Sequence, residues 1–217
     1  MKIFLDTANL NDIRKAKALG LVDGITTNPT LLAKEGEETE TLIRKISEAV
    51  RGPVNVEVTG NTHDEMIREA RTMAAWGGEI VIKIPVNLEG LKVVKTLSSE
   101  GIRTNVTLVF SAGQALLAAK AGATYVCPFL GRLDDISFNG LDLIRQIREI
   151  YRNYDEIKTK IIVASVRHPI HVIESGRMGA EIVTIPPAVL EQMVKHPLTD
   201  KGIAQFLEDA KKIPARK

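Results

Sequence analysis

Cysteine is nearly missing from this chain: one thiol in 217 residues excludes an intrachain disulfide and any metal site built on several cysteines. Aromatic residues are also scarce, at 4%. Ala, Ile, Val, Leu and Gly fill the periodic segments instead, which suits close helix-on-sheet packing better than an aromatic-cored sandwich. No apolar run reaches the roughly 20 residues that cross a membrane. The opening Met1-Lys2-Ile3-Phe4-Leu5-Asp6 meets an acid where a signal peptide would continue apolar. The expectation is a soluble, cytoplasmic protein. Excess charge is lacking as well, since 29 basic residues face 27 acidic ones, which gives no electrostatic footprint for nucleic acid. Basic residues gather mainly at the end, in Lys211-Lys212 and Arg216-Lys217.

What the chain does have is 44% hydrophobic content, enough for a large core, arranged in short β-branched runs that alternate with helical patterns. The runs predict strands over Lys2–Leu5, Gly24–Thr27, Val54–Val58, Ile80–Ile84, Thr104–Thr107, Tyr125–Cys127, Lys160–Ala164 and Ile182–Ile185. Helices are expected over Asn11–Leu19, Glu38–Val50, Thr62–Trp76, Leu88–Ser99, Ala112–Ala121, Gly140–Tyr154, Pro169–Ser175 and Ala188–Val194, with an extra amphipathic one over Gly202–Lys212. Eight strands, each followed by a helix, predict an α/β chain folded as a TIM (β/α)8 barrel with an additional C-terminal helix.

Punctuation supports the division. Asn61-Thr62-His63-Asp64-Glu65 offers a cap and early acids, and Gly20, Gly52, Gly77-Gly78, Gly101, Gly122 and Gly176 fall where helices should stop. With no linker, the expectation is one domain over residues 1–217, of which 201–217 form a helical extension. The longest non-periodic stretch, Gly131–Phe138, has the length of an active-site loop. An open doubly wound sheet is the alternative, but Asp6-Thr7-Ala8-Asn9, and no Gly-rich phosphate loop, follows the first strand.

Lys83 interrupts an apolar strand, Ile80-Val81-Ile82-Lys83-Ile84-Pro85. Burial there disfavours the ammonium, and a lysine brought toward neutrality can attack a carbonyl and form an iminium. The other open reading is a lysine whose stem packs while its tip reaches water. Polar residues collect at the same end of the other strands: Asp6, then Thr26, Thr27 and Asn28, then Glu57, then Asn105 and Thr107, which share a face at period two. Chemistry in a barrel is assembled from separate strand ends at that face. The acids can move protons, while the threonines and asparagines can orient a polyhydroxylated substrate. Singly, each has an ordinary alternative as a cap, salt-bridge partner or loop hydrogen bond.

Arg132, Ser165 and Arg167 follow the sixth and seventh strands, where two guanidinium groups and a hydroxyl can hold a phosphate. The competing reading pairs the arginines with Asp134, Asp135 or Glu174 at the surface. Cys127 reads as a small buried hydrophobe or as part of a pocket wall. His63, His168, His171 and His196 sit in helical starts or loops without clustered acid partners, so they are expected to cap or pack and no metal site is expected.

Phe4-Leu5-Asp6-Thr7-Ala8, Gly24-Ile25-Thr26-Thr27-Asn28-Pro29-Thr30-Leu31, Val56-Glu57-Val58, Ile82-Lys83-Ile84-Pro85, Asn105-Val106-Thr107-Leu108-Val109-Phe110, Pro128-Phe129-Leu130-Gly131-Arg132 and Ala164-Ser165-Val166-Arg167 together resemble the small transaldolase family, class I aldolase-like barrels that include fructose-6-phosphate aldolases. The resemblance runs nearly the whole chain. It implies that Lys83 forms the Schiff base, that Asp6 is the acid/base at the hydroxyl of the cleaved bond, and that Glu57 and Thr107 handle a water used in proton transfer. It also implies that Thr26, Asn28 and Asn105 orient the donor or the catalytic pair, and that Ser165 and Arg167 bind phosphate with help from Arg132. Phosphorylated sugars are the implied partners, without cofactor, metal, nucleic acid or membrane. Free-aldolase relatives typically carry glutamine in place of Glu57 and tyrosine in place of Phe129, so the resemblance favours group transfer over release of dihydroxyacetone. It further implies pentamers paired into decamers, with the last helix reaching a neighbour.

Overall fold

Residues 1–213 are described by the computed structural model of the chain; residues 214–217, the end of the expected 201–217 extension and with them Arg216-Lys217, lie outside the described residues. The strands are β1 (Lys2–Asp6), β2 (Gly24–Thr26), β3 (Pro53–Glu57), β4 (Glu79–Pro85), β5 (Thr104–Val109), β6 (Tyr125–Pro128), β7 (Lys160–Val163) and β8 (Ile182–Ile185). They pair in sequence order, all parallel, and β8 closes on β1 through Lys2↔Ile182 to Leu5↔Ile185. This is the predicted barrel with a helical jacket.

Among the described residues the helices are α1 (Leu10–Ala18), α2 (Pro29–Glu35), α3 (Thr39–Ala49), α4 (His63–Ala74), α5 (Leu88–Ser99), α6 (Ala112–Ala121), α7 (Leu130–Asp134), α8 (Gly140–Arg152), α9 (Pro169–Arg177), α10 (Pro187–Val194) and α11 (Pro197–Ala210). Two of them depart from expectation outright. Asn28 caps α2 through its side chain with Pro29 in the first turn, a favourable start that reads in sequence as a loop. The short α7 occupies part of the stretch expected to be irregular over Gly131–Phe138. The last helix starts at Pro197, ahead of Gly202, because His196 caps it and proline fits the first turn. Gly176 lies inside α9, and Gly179, with φ +80°, takes up the left-handed turn after it. At Thr62 the expected start carries a full capping box with Glu65.

Period-two alternation sorts the strand residues into two cores. Leu5, Ile25, Val54, Val56, Ile82, Ile84, Val106, Val126, Ile161, Val163, Val183 and Ile185 join the helices in one cluster between sheet and jacket. Phe4, Val81, Tyr125, Cys127, Ile162, Ala164 and Ile182 form a second cluster, the filling of the barrel itself. Gly24 belongs to this interior: a Cβ there would lie 2.8 Å from the Phe4 ring and 2.8 Å from the Pro53 carbonyl oxygen, so the missing side chain is what admits the Phe4 ring. Continuing each inward series toward the strand C-termini gives Asp6, Thr26, Glu57, Lys83, Asn105, Thr107 and Thr184. An apolar plug thus carries a polar lid of side chains, and that lid is where the chemistry is placed. None of the described helices is long and apolar enough to cross a membrane.

Candidate active site

Lys83 is almost wholly buried, with 3% exposure. Register sets it beside Glu57 on β3 and Asn105 on β5. Its Nζ donates to the Thr27 carbonyl oxygen at 2.8 Å and lies 2.9 Å from Glu57 Oε2. The lysine therefore does not reach through to water, and a buried ammonium is met by one carboxylate and one carbonyl, the pairing such a charge requires. Thr27 is held in turn: its N–H and hydroxyl both donate to the Asn55 carbonyl oxygen, at 3.1 and 2.7 Å.

Asp6 ends β1 beside Thr26. The Thr26 hydroxyl donates to Asp6 Oδ1 at 2.7 Å and lies 2.6 Å from Thr184 Oγ1. With the single Thr26 proton committed to the carboxylate, Thr184 becomes the donor to Thr26. Burial pushes the Asp6 carboxyl above the usual carboxylate range, against the opposing pull of the Thr26 hydrogen bond and the Lys83 charge. A carboxyl so poised suits proton transfer.

Asn105 is wholly buried and donates through Nδ2 to Asn55 Oδ1 at 2.9 Å, while Asn55 Nδ2 donates to the Ile25 carbonyl oxygen at 3.0 Å. This relay leaves Asn105 Oδ1 as the end that has no partner, and Thr107 Oγ1 likewise has none among the described residues. Buried polar atoms of this kind are expected to meet water or ligand. β5 bulges beyond Val106, and Leu108 takes φ +59° there; such an irregularity re-aims the neighbouring side chain, here Thr107.

A cleft of about 200 Å³ opens at this end of the barrel, lined by Asp6, Thr26, Asn28, Lys83, Cys127, Phe129, Arg132, Ser165, Arg167 and Thr184 among others. Glu57, Asn105 and Thr107 are not on its wall; Glu57 touches Lys83 from behind. Asn28 is both things considered for it, since it lines the cleft while its Oδ1 accepts from Leu31 N–H at 2.9 Å. Cys127 is likewise both buried and part of the wall, its thiol pushed up to about 12 by burial, so it stays neutral. Phe129 packs edge-on to Phe110, with the Arg132 guanidinium 5.1 Å from its ring centre.

Arg132, Ser165 and Arg167 come together at one side of the cleft. Gly131 lets α7 approach the loop after β7, since a Cβ there would lie 2.1 Å from the Ser165 carbonyl oxygen. Ser165 holds φ +59°, a left-handed conformation that surrounding structure must impose on a serine. The surface pairing considered for Arg167 is also real: its guanidinium meets Asp135 Oδ2 at 2.7 Å, with both side chains more than half exposed. Two of the histidines meet a single acid each: His63 Nδ1 lies 2.9 Å from the exposed Asp64, and His171 is buried with Nε2 3.1 Å from Asp134 Oδ2.

Sequence reasoning overlooked Thr184 and Asn55. Both obey the inward period: Thr184 alternates with Ile182, and Asn55 with Glu57 inside Val54-Asn55-Val56-Glu57-Val58, a signal as good as the one that singled out Glu57.

Residues 3–216 match the family described as transaldolase/fructose-6-phosphate aldolase. The chain is 57% identical over 216 residues to a probable transaldolase of Caldicellulosiruptor saccharolyticus, covering 100% of both chains. It is also 57% identical to one from Anaeromyxobacter sp., again over 100% of each, and 58% identical over 209 residues to one from Clostridioides difficile, covering 96% of each.

Proposed function

The chain belongs to the transaldolase/fructose-6-phosphate aldolase family, and from that premise we propose that it is a transaldolase, moving a dihydroxyacetone unit from fructose 6-phosphate or sedoheptulose 7-phosphate to an aldose phosphate. The observation that carries this reading is a buried lysine on the cleft wall, backed by a carboxylate at 2.9 Å, with a second, elevated carboxyl in the same cleft. Glu57 takes the ammonium proton, the neutral amine adds to the ketose carbonyl, and loss of water gives the iminium. Asp6 then accepts the proton of the hydroxyl on the far carbon of the bond that breaks. The bonding pair passes into the iminium to form an enamine on Lys83, and the aldose leaves as its aldehyde. The acceptor aldehyde reverses these steps, and hydrolysis frees Lys83. Thr107 and Glu57 serve the water steps, Asn28 on the cleft wall directs the donor's hydroxyl groups, and Thr26 and Asn105 orient Asp6 and Lys83 beside them. Arg132, Ser165 and Arg167 take the phosphate.

The second reading, an aldolase that releases free dihydroxyacetone, is disfavoured by Phe129. Its ring lines the cleft without a hydroxyl that could protonate the retained enamine. Transfer to erythrose 4-phosphate is expected to run much faster than release of dihydroxyacetone without acceptor, and Phe129→Tyr is expected to raise the released fraction. An acceptor-dependent transfer assay on both proteins checks this; equal rates of transfer and release in the unaltered protein would reverse the assignment.

Association with other copies is supported by α11, which buries none of its residues: Leu198, Ile203, Phe206 and Leu207 are 54–75% exposed. An apolar groove lined by Leu19, Leu21, Leu190 and Val194 lies between α1 and α10. A helix with that much open apolar surface is stabilised by docking on another copy. The pentamers paired into decamers that the family resemblance implies are the assembly adopted in this reading. Light scattering should give a mass near ten chains, and truncation before Pro197 should reduce it; an intact protein that stays monomeric at micromolar concentration contradicts it.

A further inference from the structure

We infer that His171 is a positioning residue for the phosphate subsite: its imidazole, neutral and protonated on Nε2, ties the loop that carries Ser165 and Arg167 to the helix that carries Arg132. The inference rests on the reading of those three residues as the phosphate subsite. His171 stands in the first turn of α9 and is 5% exposed. Its Nδ1 accepts from the Arg167 backbone N–H at 3.2 Å, and its Nε2 lies 3.1 Å from Asp134 Oδ2, at the end of α7. Asp134 is fixed from its other oxygen, which accepts from Gly140 N–H at 2.9 Å.

One protonation state alone satisfies both sides. A nitrogen that accepts from an N–H carries no proton, so the ring's hydrogen is on Nε2 and donates to Asp134. The two segments also meet through Gly131 against Ser165, through the Leu130 N–H donating to the Ala164 carbonyl oxygen at 3.1 Å, and through the Arg167–Asp135 pair, but none of these takes the Arg167 N–H. The hydrogen-bonded imidazole fixes direction, holding the Arg167 main chain so that its long side chain starts from a set point. That matters because Arg167 has a competing partner in Asp135.

A second proton on Nδ1 would face the Arg167 N–H donor to donor and release the loop. The charged and titratable groups acting on the ring are His168, whose ring centre is 3.8 Å away, Asp134 and Arg167; among the described residues α8 and α10, which also pack on α9, contribute none. Burial and then the His168 charge keep the ring's pKa below the ordinary histidine value, so the neutral tie persists at neutral pH and is lost on acidification.

Two replacements separate the two hydrogen bonds. In His171→Gln the amide reaches the Nε2 position and keeps a donor for Asp134 but leaves the Arg167 N–H without an acceptor. In His171→Asn the amide oxygen takes the Nδ1 position and keeps that acceptor without being titratable. The KM for fructose 6-phosphate and the inhibition constant of inorganic phosphate should each rise about tenfold in His171→Gln, the scale of one buried donor left unpaired. His171→Asn should lose less, staying within about threefold of the unaltered protein at neutral pH, because the Arg167 N–H keeps its acceptor while the partly exposed Asp134, still bonded to Gly140, exchanges the imidazole for water. Below neutrality the unaltered protein's KM should climb more steeply than that of His171→Asn; the phosphate's own titration is common to both and cancels. Borohydride trapping of dihydroxyacetone at Lys83, which involves no phosphate, should proceed alike in all three.

An unchanged KM in His171→Gln, equal acid slopes in the unaltered protein and His171→Asn, or a parallel loss of trapping would each overturn the inference. Arg167→Ala distinguishes its failure from that of the underlying reading. If that variant weakens phosphate inhibition while His171→Gln does not, His171 alone is misassigned. If Arg167→Ala leaves phosphate inhibition unchanged, the subsite is elsewhere and this inference falls with it.

Discussion

Lys83→Arg is expected to abolish transfer, lowering kcat by about 10³-fold or more, while the barrel remains folded. Arginine keeps a positive charge beside Glu57 and can still donate to the Thr27 carbonyl, the two contacts that Nζ makes. The buried carboxylate is then not stranded, which is the costly outcome when one partner of such a pair is deleted. What is lost is the amine. A guanidinium stays protonated and offers no lone pair to a carbonyl. Incubation with fructose 6-phosphate and borohydride should leave a reduced sugar fragment on the peptide containing Lys83 in the unaltered protein and no adduct in the variant, with unchanged circular dichroism. An adduct on another lysine, or a fully active arginine variant, would remove Lys83 from the mechanism.

The same residue shows how the site could be read before the fold was known. Strand β4 is apolar on both faces in sequence, so a lysine within it demanded a partner; the partner, Glu57, stands out by the same logic on β3. Parallel register then makes them neighbours without further information. Strands are legible because their β-branched runs are short and bounded. Their ends move by a residue or two because pairing with the neighbouring strand, rather than propensity, decides where each stops.

The missed features are of two kinds. Helices α2 and α7 are only 7 and 5 residues long, too short for a period of 3.6 to declare itself, and α2 hides behind Thr27-Asn28-Pro29, which reads equally as turn or cap. Thr184 and Asn55 were overlooked for a different reason: each is a neutral polar residue whose role depends on which atom of a distant strand it meets. Asn55 matters because its Nδ2 finds Ile25 and its Oδ1 then turns Asn105. No spacing within β3 encodes that direction. The link from His171 to Asp134 likewise joins segments that only the closed barrel brings together.

Asp6→Asn is the replacement that should separate bond formation to the substrate from bond cleavage. The amide oxygen that takes the place of the carboxylate remains able to accept from the Thr26 hydroxyl, so the Thr184–Thr26 arrangement that holds this side chain can survive. The amide cannot accept the hydroxyl proton as the carbon–carbon bond breaks. Loss of a positioned general base costs about 10² to 10⁴ in rate, so kcat should fall by that range. The iminium should nonetheless form, because Lys83, Glu57 and Thr107 are untouched. Borohydride trapping from fructose 6-phosphate should therefore yield the intact six-carbon adduct on Lys83 in the variant, where the unaltered protein yields in addition the three-carbon fragment left after cleavage. The pH profile gives an independent reading. Cleavage needs Asp6 ionised, and burial raises its pKa; the acid limb of kcat should then lie above the ordinary carboxylate range and be absent from the residual activity of Asp6→Asn. A variant that traps the three-carbon fragment as readily as the unaltered protein would show that another group takes the proton, and the remaining carboxylate at the lysine, Glu57, would be the one to test.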